Sequence, residues 1–112
     1  MERVALCFVG GVSPTDVVEY AQLAEELGYE SLWIADGYNG DQFCMLTACA
    51  LATKKILLGT SITNIFVRSA PTIAMSAACV DYYSNGRFID IYCRICSRCP
   101  HSFTYIYRPT LG

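Results

Sequence analysis

The sequence has no hydrophobic run long enough to cross a membrane and only one histidine, and both absences narrow its possible functions. No stretch of the 112 residues approaches the roughly 18 apolar residues that a transmembrane helix needs. The apolar run of about six residues near the start is shorter than a signal-peptide core, and no small-residue cleavage site follows it. We therefore expect a cytoplasmic protein. With His101 as the sole histidine, no Ser/His/Asp or Cys/His catalytic set can be argued.

Charged residues are few, and the chain has no strongly basic segment. Lys, Arg, Asp and Glu make up 16% of the sequence, hydrophobic residues make up 54%, and the formal net charge is −2. This composition excludes a disordered tail and is typical of a domain built around a buried α/β sheet. Residues 87–112 carry four basic side chains and one acidic side chain, an excess too weak to predict nucleic-acid binding. We therefore expect neither a nucleic-acid partner nor a membrane partner.

Apolar strand-like segments and helical segments alternate along the chain. Short apolar runs with β-branched and aromatic residues predict strands, and longer segments bounded by capping residues predict helices. Ser13, Asp41 and Ser69 are suitable N-caps for three helices. The predicted strands cover residues 3–9, 31–35, 55–63 and 87–93, and the predicted helices cover residues 14–27, 42–53 and 69–83.

The spacing of the predicted strands favours a repeating βα unit. The strands begin roughly 24 to 32 residues apart, which predicts parallel strands joined by right-handed helical crossovers. A doubly wound sheet and part of a (β/α)₈ TIM barrel both fit this pattern, and a complete barrel needs about 250 residues. Gly10–Gly11 is not part of a G-x-G-x-x-G motif, and no polar phosphate loop follows a strand. Rossmann and flavodoxin-like domains are therefore weakly supported.

Four segments of the sequence together resemble one enzyme family. They are AEELGYESLWIAD, LATKKILLGTSITN, RSAP and SNGRF, and all of them lie within residues 3–89. In combination they resemble the N-terminal half of the luciferase-like (β/α)₈ flavin and deazaflavin oxidoreductases. The most similar members are the coenzyme F-420-dependent methylenetetrahydromethanopterin reductases of methanogenic archaea. The resemblance implies an α/β fold, a partial TIM barrel with the first three βα units and a fourth strand in one parallel sheet.

The resemblance also implies a reaction and the residues that serve it. The ancestral reaction would be hydride transfer between coenzyme F-420, or alternatively FMN, and the pterin substrate methylene-tetrahydromethanopterin. Asp36, at the end of the second strand, maps onto a catalytic acid beside the deazaflavin ring. Ser61 and Ile62 map onto a bulge with a non-proline cis peptide behind that ring, and Thr63 and Asn64 complete the cofactor-binding set. Taken alone, an acid at a strand end often only caps the turn that follows.

The sequence departs from the family pattern at three places. Cys7 stands where the reductases have a strand-one glutamate, and a thiol does not replace a carboxylate in proton transfer. Gly37 stands where some relatives have a histidine after the acid. Beyond residue 89, bulky and cationic residues replace the family's glycine-rich segment. We therefore predict two regions: residues 1–89, the N-terminal half of a luciferase-like barrel, and residues 90–112, a divergent cysteine-rich tail.

The abrupt change after residue 89 predicts a truncated or frameshifted product. The later strands of the family, which supply much of the cofactor pocket, have no counterpart in the sequence. We therefore expect the chain alone to be inactive and to bind no cofactor. A partial barrel exposes sheet edges and an inner face, and such surfaces predict self-association.

The tail contains a cluster of metal-ligand types. Cys93, Cys96, Cys99 and His101 lie within nine residues. Three thiolates and one imidazole are the ligand types and the number of ligands that a tetrahedral zinc site needs. Zinc modules, however, usually divide their ligands between two separated pairs. An iron–sulfur site is also disfavoured, because the fourth ligand is wrong. We expect no metal, and the alternative function is a non-enzymatic fragment that binds zinc or a partner through the tail.

Five other side chains have structural interpretations. Cys7, Cys44, Cys49 and Cys79 stand singly in apolar surroundings, which predicts reduced thiols in the core. Arg68, in the RSAP segment, has two interpretations: contact with a phosphate, or a position on a solvated loop. The solvated position is the preferred interpretation.

Overall fold

The computed structural model describes residues 3–36, 40–64, 67–93 and 104–107. Four parallel strands alternate with three helices, and two further strands extend the sheet. None of the described helices combines the length and hydropathy that a membrane span requires. The elements are β1 (Ala5–Phe8), α1 (Pro14–Glu26), β2 (Ser31–Ile34), α2 (Gln42–Ala52), β3 (Leu57–Thr60), β4 (Thr63–Asn64), α3 (Ala70–Tyr83), β5 (Phe88–Cys93) and β6 (Thr104–Tyr107).

The long parallel strands lie side by side in the order of the sequence. β1 pairs with β2, β2 with β3, and β3 with β5, all in parallel. A doubly wound sheet would instead place later strands on both sides of the first strand. Successive addition on one side is the order of strands in a (β/α)₈ barrel. The predicted partial TIM barrel is confirmed, and the doubly wound alternative is wrong.

The sheet is not parallel throughout, because the tail adds a strand that the sequence pattern does not predict. β6 pairs with β5 in antiparallel orientation, with Asp90 opposite Tyr107 and Cys93 opposite Thr104. β4 pairs with the end of β5 in parallel. The predicted parallel sheet is confirmed for the four predicted strands, and β6 adds an antiparallel strand at this edge. The predicted strands end at residue 93, so β6 was missed although the Thr, Tyr and Ile side chains of this segment favour a strand.

The core lies between the sheet and the three helices. Leu32, Ile34, Leu58 and Phe88 alternate along their strands and are fully buried on the helix side, as the two-residue period of a strand requires. The helices contribute apolar side chains at helical spacing. These are Val17, Ala21, Ala24, Phe43, Leu46, Cys49, Ile73, Ala77 and Val80.

The opposite face of the sheet carries a second row of side chains. Cys7, Trp33, Gly59 and Ile89 are neighbours in register across the four parallel strands. The indole ring of Trp33 lies directly on Gly59, where a β-carbon would collide with it. The indole N–H donates to the Ser31 hydroxyl at 2.8 Å. Glycine at position 59 is therefore required by the packing of Trp33.

The prediction of four core thiols is right for one cysteine and wrong for three. Cys49 is buried, and burial raises the pKa of its thiol to about 12. Cys44 and Cys79 are exposed. Their exposure was not predicted because α2 and α3 are apolar on nearly all sides, so the sequence does not identify which face of each helix is buried. Cys7 is exposed because β1 directs it away from the helices.

Arg87, from the SNGRF segment, binds the loops at the N-terminal edge of the sheet. Its guanidinium donates to the carbonyl oxygens of Ala50, Thr53, Ile56 and Ser84 at 2.7–3.1 Å. It also donates to the Thr53 hydroxyl at 2.9 Å. One side chain thus joins the end of α2, the start of β3 and the end of α3. Helix C-termini expose carbonyls that need such donors.

Glu25 performs the complementary role for backbone N–H groups. Its carboxylate accepts hydrogen bonds from the N–H groups of Lys54, Lys55 and Ile56 at 2.8–3.1 Å. Burial alone would raise the pKa of Glu25, but these bonds outweigh it and leave the pKa below its ordinary value. The carboxylate therefore ties the end of α1 to the loop before β3 in its charged form.

Replacing Arg87 with alanine is expected to lower the free energy of unfolding by about 2–3 kcal/mol, because several partly buried carbonyls lose their donor. Urea unfolding followed by circular dichroism would measure the loss. Arg3→Ala is the matched control, since Arg3 is 84% exposed and forms one surface ion pair with Glu30. That variant should change stability by less than about 0.5 kcal/mol. Equal losses in the two variants would refute the role given to Arg87.

The stability difference between the native chain and Glu25→Gln should depend on pH. Because the folded-state pKa of Glu25 lies below its ordinary value of 4.5, the unfolded chain takes up the proton first on acidification. The difference in free energy of unfolding between the native chain and Glu25→Gln is therefore largest when the pH lies above the ordinary pKa. It disappears as the pH falls through the folded-state pKa of Glu25. Urea midpoints measured from pH 7 to pH 3 would show it. The exposed neighbour supplies the control variant, Glu26→Gln, which should change the free energy of unfolding at pH 7 by less than about 0.5 kcal/mol.

Candidate functional site

The five residues predicted for the cofactor site lie together at the C-terminal edge of the sheet. Asp36 follows β2, Ser61 and Ile62 lie between β3 and β4, and Thr63 and Asn64 form β4. The Ser61 N–H donates to the carbonyl of Ile34 at 2.9 Å, which holds the β3 end beside the β2 end. Functional side chains of (β/α)₈ proteins lie at this edge. The structure therefore brings the predicted set together.

The segment between β3 and β4 has the backbone form that the resemblance implies. The peptide bond between Ser61 and Ile62 is cis, and the Ile62 side chain is 37% exposed. We call residues 61–64 the bulge. Its role in cofactor binding stays a prediction.

Asp36 is held from two sides. Its Oδ2 accepts a hydrogen bond from the Asn64 backbone N–H at 3.0 Å, and the same oxygen accepts a charged hydrogen bond from the Arg68 guanidinium. The Asp36 side chain is only 8% exposed, and that of Arg68 is 13% exposed. The interpretation of Arg68 as a solvated loop residue is therefore wrong, because the RSAP segment folds back between β2 and α2.

Arg68 also contacts a second acid and an aromatic ring. Its NH2 donates to Asp41 Oδ2 at 3.3 Å, and its guanidinium carbon lies 5.3 Å from the centre of the Phe43 ring. The hydrogen bond to Asp36 raises the pKa of Arg68, and the bond to Asp41 adds to this against the effect of burial. Two carboxylates thus surround this cation, an arrangement that disfavours phosphate binding.

Asp41 is the N-cap of α2, as the sequence predicts. Its Oδ1 accepts a hydrogen bond from the Cys44 N–H at 3.0 Å. Burial acts to raise the pKa of Asp41, but the bonds from Cys44 and Arg68 outweigh it and lower the pKa. We call Asp36, Asp41 and Arg68 the rim cluster. The sequence offered one unused signal for it, the position of Arg68 directly before the α3 N-cap.

A buried polar network supports the bulge from the core side. Asp90 Oδ1 accepts hydrogen bonds from the hydroxyls of Thr60 at 2.6 Å and Thr63 at 2.8 Å. Gln42 donates to the Ile34 carbonyl at 2.6 Å. Thr63 is fully buried, so its side chain faces the core rather than the open face of the sheet. Thr63 would therefore contribute to the predicted cofactor site through its backbone and not through its side chain.

Asp90 and Gln42 were missed by sequence reasoning, although a lone acid in the apolar FIDIYC segment was a usable signal. Both side chains are fully buried. Buried polar groups need partners, and here the partners come from the strand ends around the bulge. The two residues therefore belong to the support of the site.

The metal alternative lies outside what the structure describes. The placement of Cys96, Cys99 and His101 falls beyond the described residues, and only the backbone of Cys93 is described. Within the described part of the chain, no group of three or more His, Cys, Asp or Glu side chains could hold a metal ion. Zinc binding by the tail therefore stays an untested hypothesis.

Comparisons with known proteins place this architecture among enzymes. The 5,10-methylenetetrahydromethanopterin reductase of Methanolobus tindarius is 40% identical over 74 residues, which are 65% of this chain and 23% of that protein. The solved coenzyme F-420-dependent tetrahydromethanopterin reductase of Methanopyrus kandleri is similar with a TM-score of 0.73 and 34% identity. That match covers 79% of this chain and 26% of the reductase chain.

A more distant solved structure shares the fold alone. The FMN complex of a type II Baeyer–Villiger monooxygenase from Pseudomonas putida is 18% identical with a TM-score of 0.66, covering 77% of this chain and 28% of that one. The chain spans about a quarter of the length of the curated relatives it matches.

The family predicted from the four sequence segments is confirmed by a match over most of the chain. The family model described as luciferase-like monooxygenase matches residues 4–89. This range contains the three helices, the rim cluster and the bulge. The protein therefore belongs to the luciferase-like monooxygenase family.

Proposed function

We propose that the chain carries the N-terminal part of an oxidoreductase site for hydride transfer between coenzyme F-420 and methylene-tetrahydromethanopterin. The observation that supports this most is the position of Asp36, which lies beside the bulge and accepts a hydrogen bond from the Asn64 N–H at 3.0 Å. It occurs in a chain that is 40% identical to a methylenetetrahydromethanopterin reductase over the matched segment.

The exposed groups of the bulge fit a flat ring with a polar border. Ile62 offers partly exposed apolar surface, and the side chains of Ser61 and Asn64 lie beside it at the same edge. Behind them, the network of Asp90 and the rim cluster holds the backbone from two sides. When bound, the deazaflavin would supply the carbon that donates or accepts hydride. The residues of this chain would orient its ring against the substrate.

Coenzyme F-420 is the preferred cofactor, with FMN as the alternative. The reductase of Methanopyrus kandleri, which is 34% identical to this chain, depends on coenzyme F-420. The FMN-bound monooxygenase is only 18% identical and shares the fold alone. Within the described residues, the rim cluster contains the one cation near the bulge, and two acids already neutralise it. Contacts to cofactor phosphates would therefore come from other residues.

For the chain by itself, we propose self-association rather than catalysis. The face of the sheet opposite the helices exposes Cys7 and leaves Trp33 and Ile89 half-buried. In a complete barrel such side chains pack against those of other strands. Partly exposed apolar side chains on a sheet face favour contact between copies.

We expect the 112-residue chain alone not to transfer hydride from reduced coenzyme F-420 to methylene-tetrahydromethanopterin, because the matched segment corresponds to 23% of the reductase of Methanolobus tindarius. The absorbance change on oxidation of the deazaflavin would be followed with the full chain at micromolar concentration. The intact Methanolobus tindarius reductase provides the positive control. Turnover by this chain at the rate of that control would contradict the expectation.

A chimera tests the proposed function directly. Residues 4–89 of this chain would replace the matching segment of the Methanolobus tindarius reductase. Activity should be measurable and should rise about 10²-fold or more in Cys7→Glu, because a carboxylate is restored for proton transfer. Asp36→Asn should lower activity at least tenfold by removing the acid beside the bulge.

The chimera has a matched control in Asp16→Asn. Asp16 is exposed in the first turn of α1 and belongs neither to the bulge nor to the rim cluster, so its variant should keep the activity of the parent chimera. Activity with reduced FMN but not with reduced F-420 would favour the alternative cofactor. A folded chimera without activity towards either cofactor, even with glutamate at position 7, would refute the proposal.

A further inference from the structure

Arg68 connects more parts of the C-terminal edge than any predicted site residue. It binds Asp36 at the end of β2 and Asp41 at the start of α2. It directly precedes Ser69, the N-cap of α3. The Asp36 carboxylate, which Arg68 binds, also accepts a hydrogen bond from the Asn64 backbone N–H. Two parts of the chain that are distant in sequence, one with Asp36 and Asp41 and the other with Asn64 and Ser69, therefore meet around one guanidinium.

We propose that Arg68 is the positioning residue of the candidate site, acting through Asp36. The guanidinium fixes the Asp36 carboxylate in the orientation in which it holds the Asn64 N–H, and this bond fixes the outer end of the bulge. The inference rests on the proposed function only for the identity of the ligand that the bulge receives. The hydrogen bonds themselves exist without a ligand and can be tested without one.

The two acids of the rim cluster depend on Arg68 to different degrees. Asp41 is 50% exposed, so water compensates much of its charge. Asp36 is 8% exposed, and a carboxylate so poorly hydrated needs a cation or several donors close by. Without Arg68, the Asn64 N–H would be its one remaining donor among the described contacts. The Asp36 side chain would then turn towards water and release that N–H.

The contacts require the shape of arginine and not only its charge. The two terminal nitrogens meet two different carboxylates, and the planar group lies over the Phe43 ring. A lysine ammonium is a compact charge that cannot reproduce this fork and this stacking together. Arg68→Lys therefore separates the positioning role from simple charge compensation.

Nuclear magnetic resonance of the full chain tests the proposal without cofactor. In the native chain, the Asn64 amide proton should resonate downfield and exchange slowly, as a donor to a carboxylate does. Arg68→Lys should move that resonance upfield and increase its exchange rate about tenfold or more, while amides of α1 stay unchanged. Arg3→Lys is the matched control, because that arginine is 84% exposed, and it should leave Asn64 unaffected.

Two further measurements keep the test decisive if Arg68→Lys does not fold. In the native chain, the guanidinium N–H signals of Arg68 should show slow rotation, and those of Arg3 should show fast rotation. The double variant Asp36→Asn/Arg68→Gln removes both charges, should fold, and should still lose protection at Asn64. Free rotation of Arg68, or native protection of Asn64 in either variant, would overturn the proposal.

Failure of the proposed function would look different. It would appear as a chimera without F-420 activity in which the Asn64 amide keeps its downfield position. If both inferences hold, Arg68→Lys in the chimera should lower activity, and the native Asn64 signal should be lost in the same variant. Lost activity with an unchanged Asn64 signal would contradict a positioning role.

Discussion

Backbone groups at the two ends of a parallel sheet are the constraint on which this structure depends. Strands that end in loops leave N–H and C=O groups without a partner in the sheet, and buried groups of this kind need partners elsewhere. At the N-terminal edge, Arg87 supplies donors and Glu25 supplies an acceptor. At the C-terminal edge, Gln42 donates to a strand-end carbonyl and Asp36 accepts from a strand-end N–H. The few polar side chains of an apolar sequence are thus used where the sheet ends.

The two edges differ in what their polar contacts achieve. At the N-terminal edge, the Arg87 and Glu25 contacts join helix ends to loops. At the C-terminal edge, the contacts around Asp36 support a bulge whose Ile62 remains partly exposed. This division matches (β/α)₈ proteins, in which the N-terminal face serves stability and the C-terminal face serves function. The same physical requirement therefore produces a stabilising contact at one edge and a supported site at the other.

The predictable features are those whose cause lies within a few residues. Asp41 and Ser69 cap helices by accepting hydrogen bonds from N–H groups three residues away, so both caps can be predicted from the local sequence. Arg68 pairs with acids 27 and 32 residues away, and Asp90 meets a hydroxyl 30 residues away. Nothing local marks such partners, so the residues of the bulge were predicted from the resemblance while their supports were missed. The cysteines of α2 and α3 show a second limit, since uniformly apolar helices do not reveal their buried side.

Asp36 illustrates how far a residue's position determines its chemistry. Its Oδ2 already accepts hydrogen bonds from Asn64 and Arg68, and these two contacts hold the carboxylate in one orientation. This oxygen is therefore a fixed hydrogen-bond acceptor. Strand β1 offers Cys7 rather than a carboxylate on the open face. The described residues at this edge therefore determine the shape and the charge of the surface around Asp36 and the bulge.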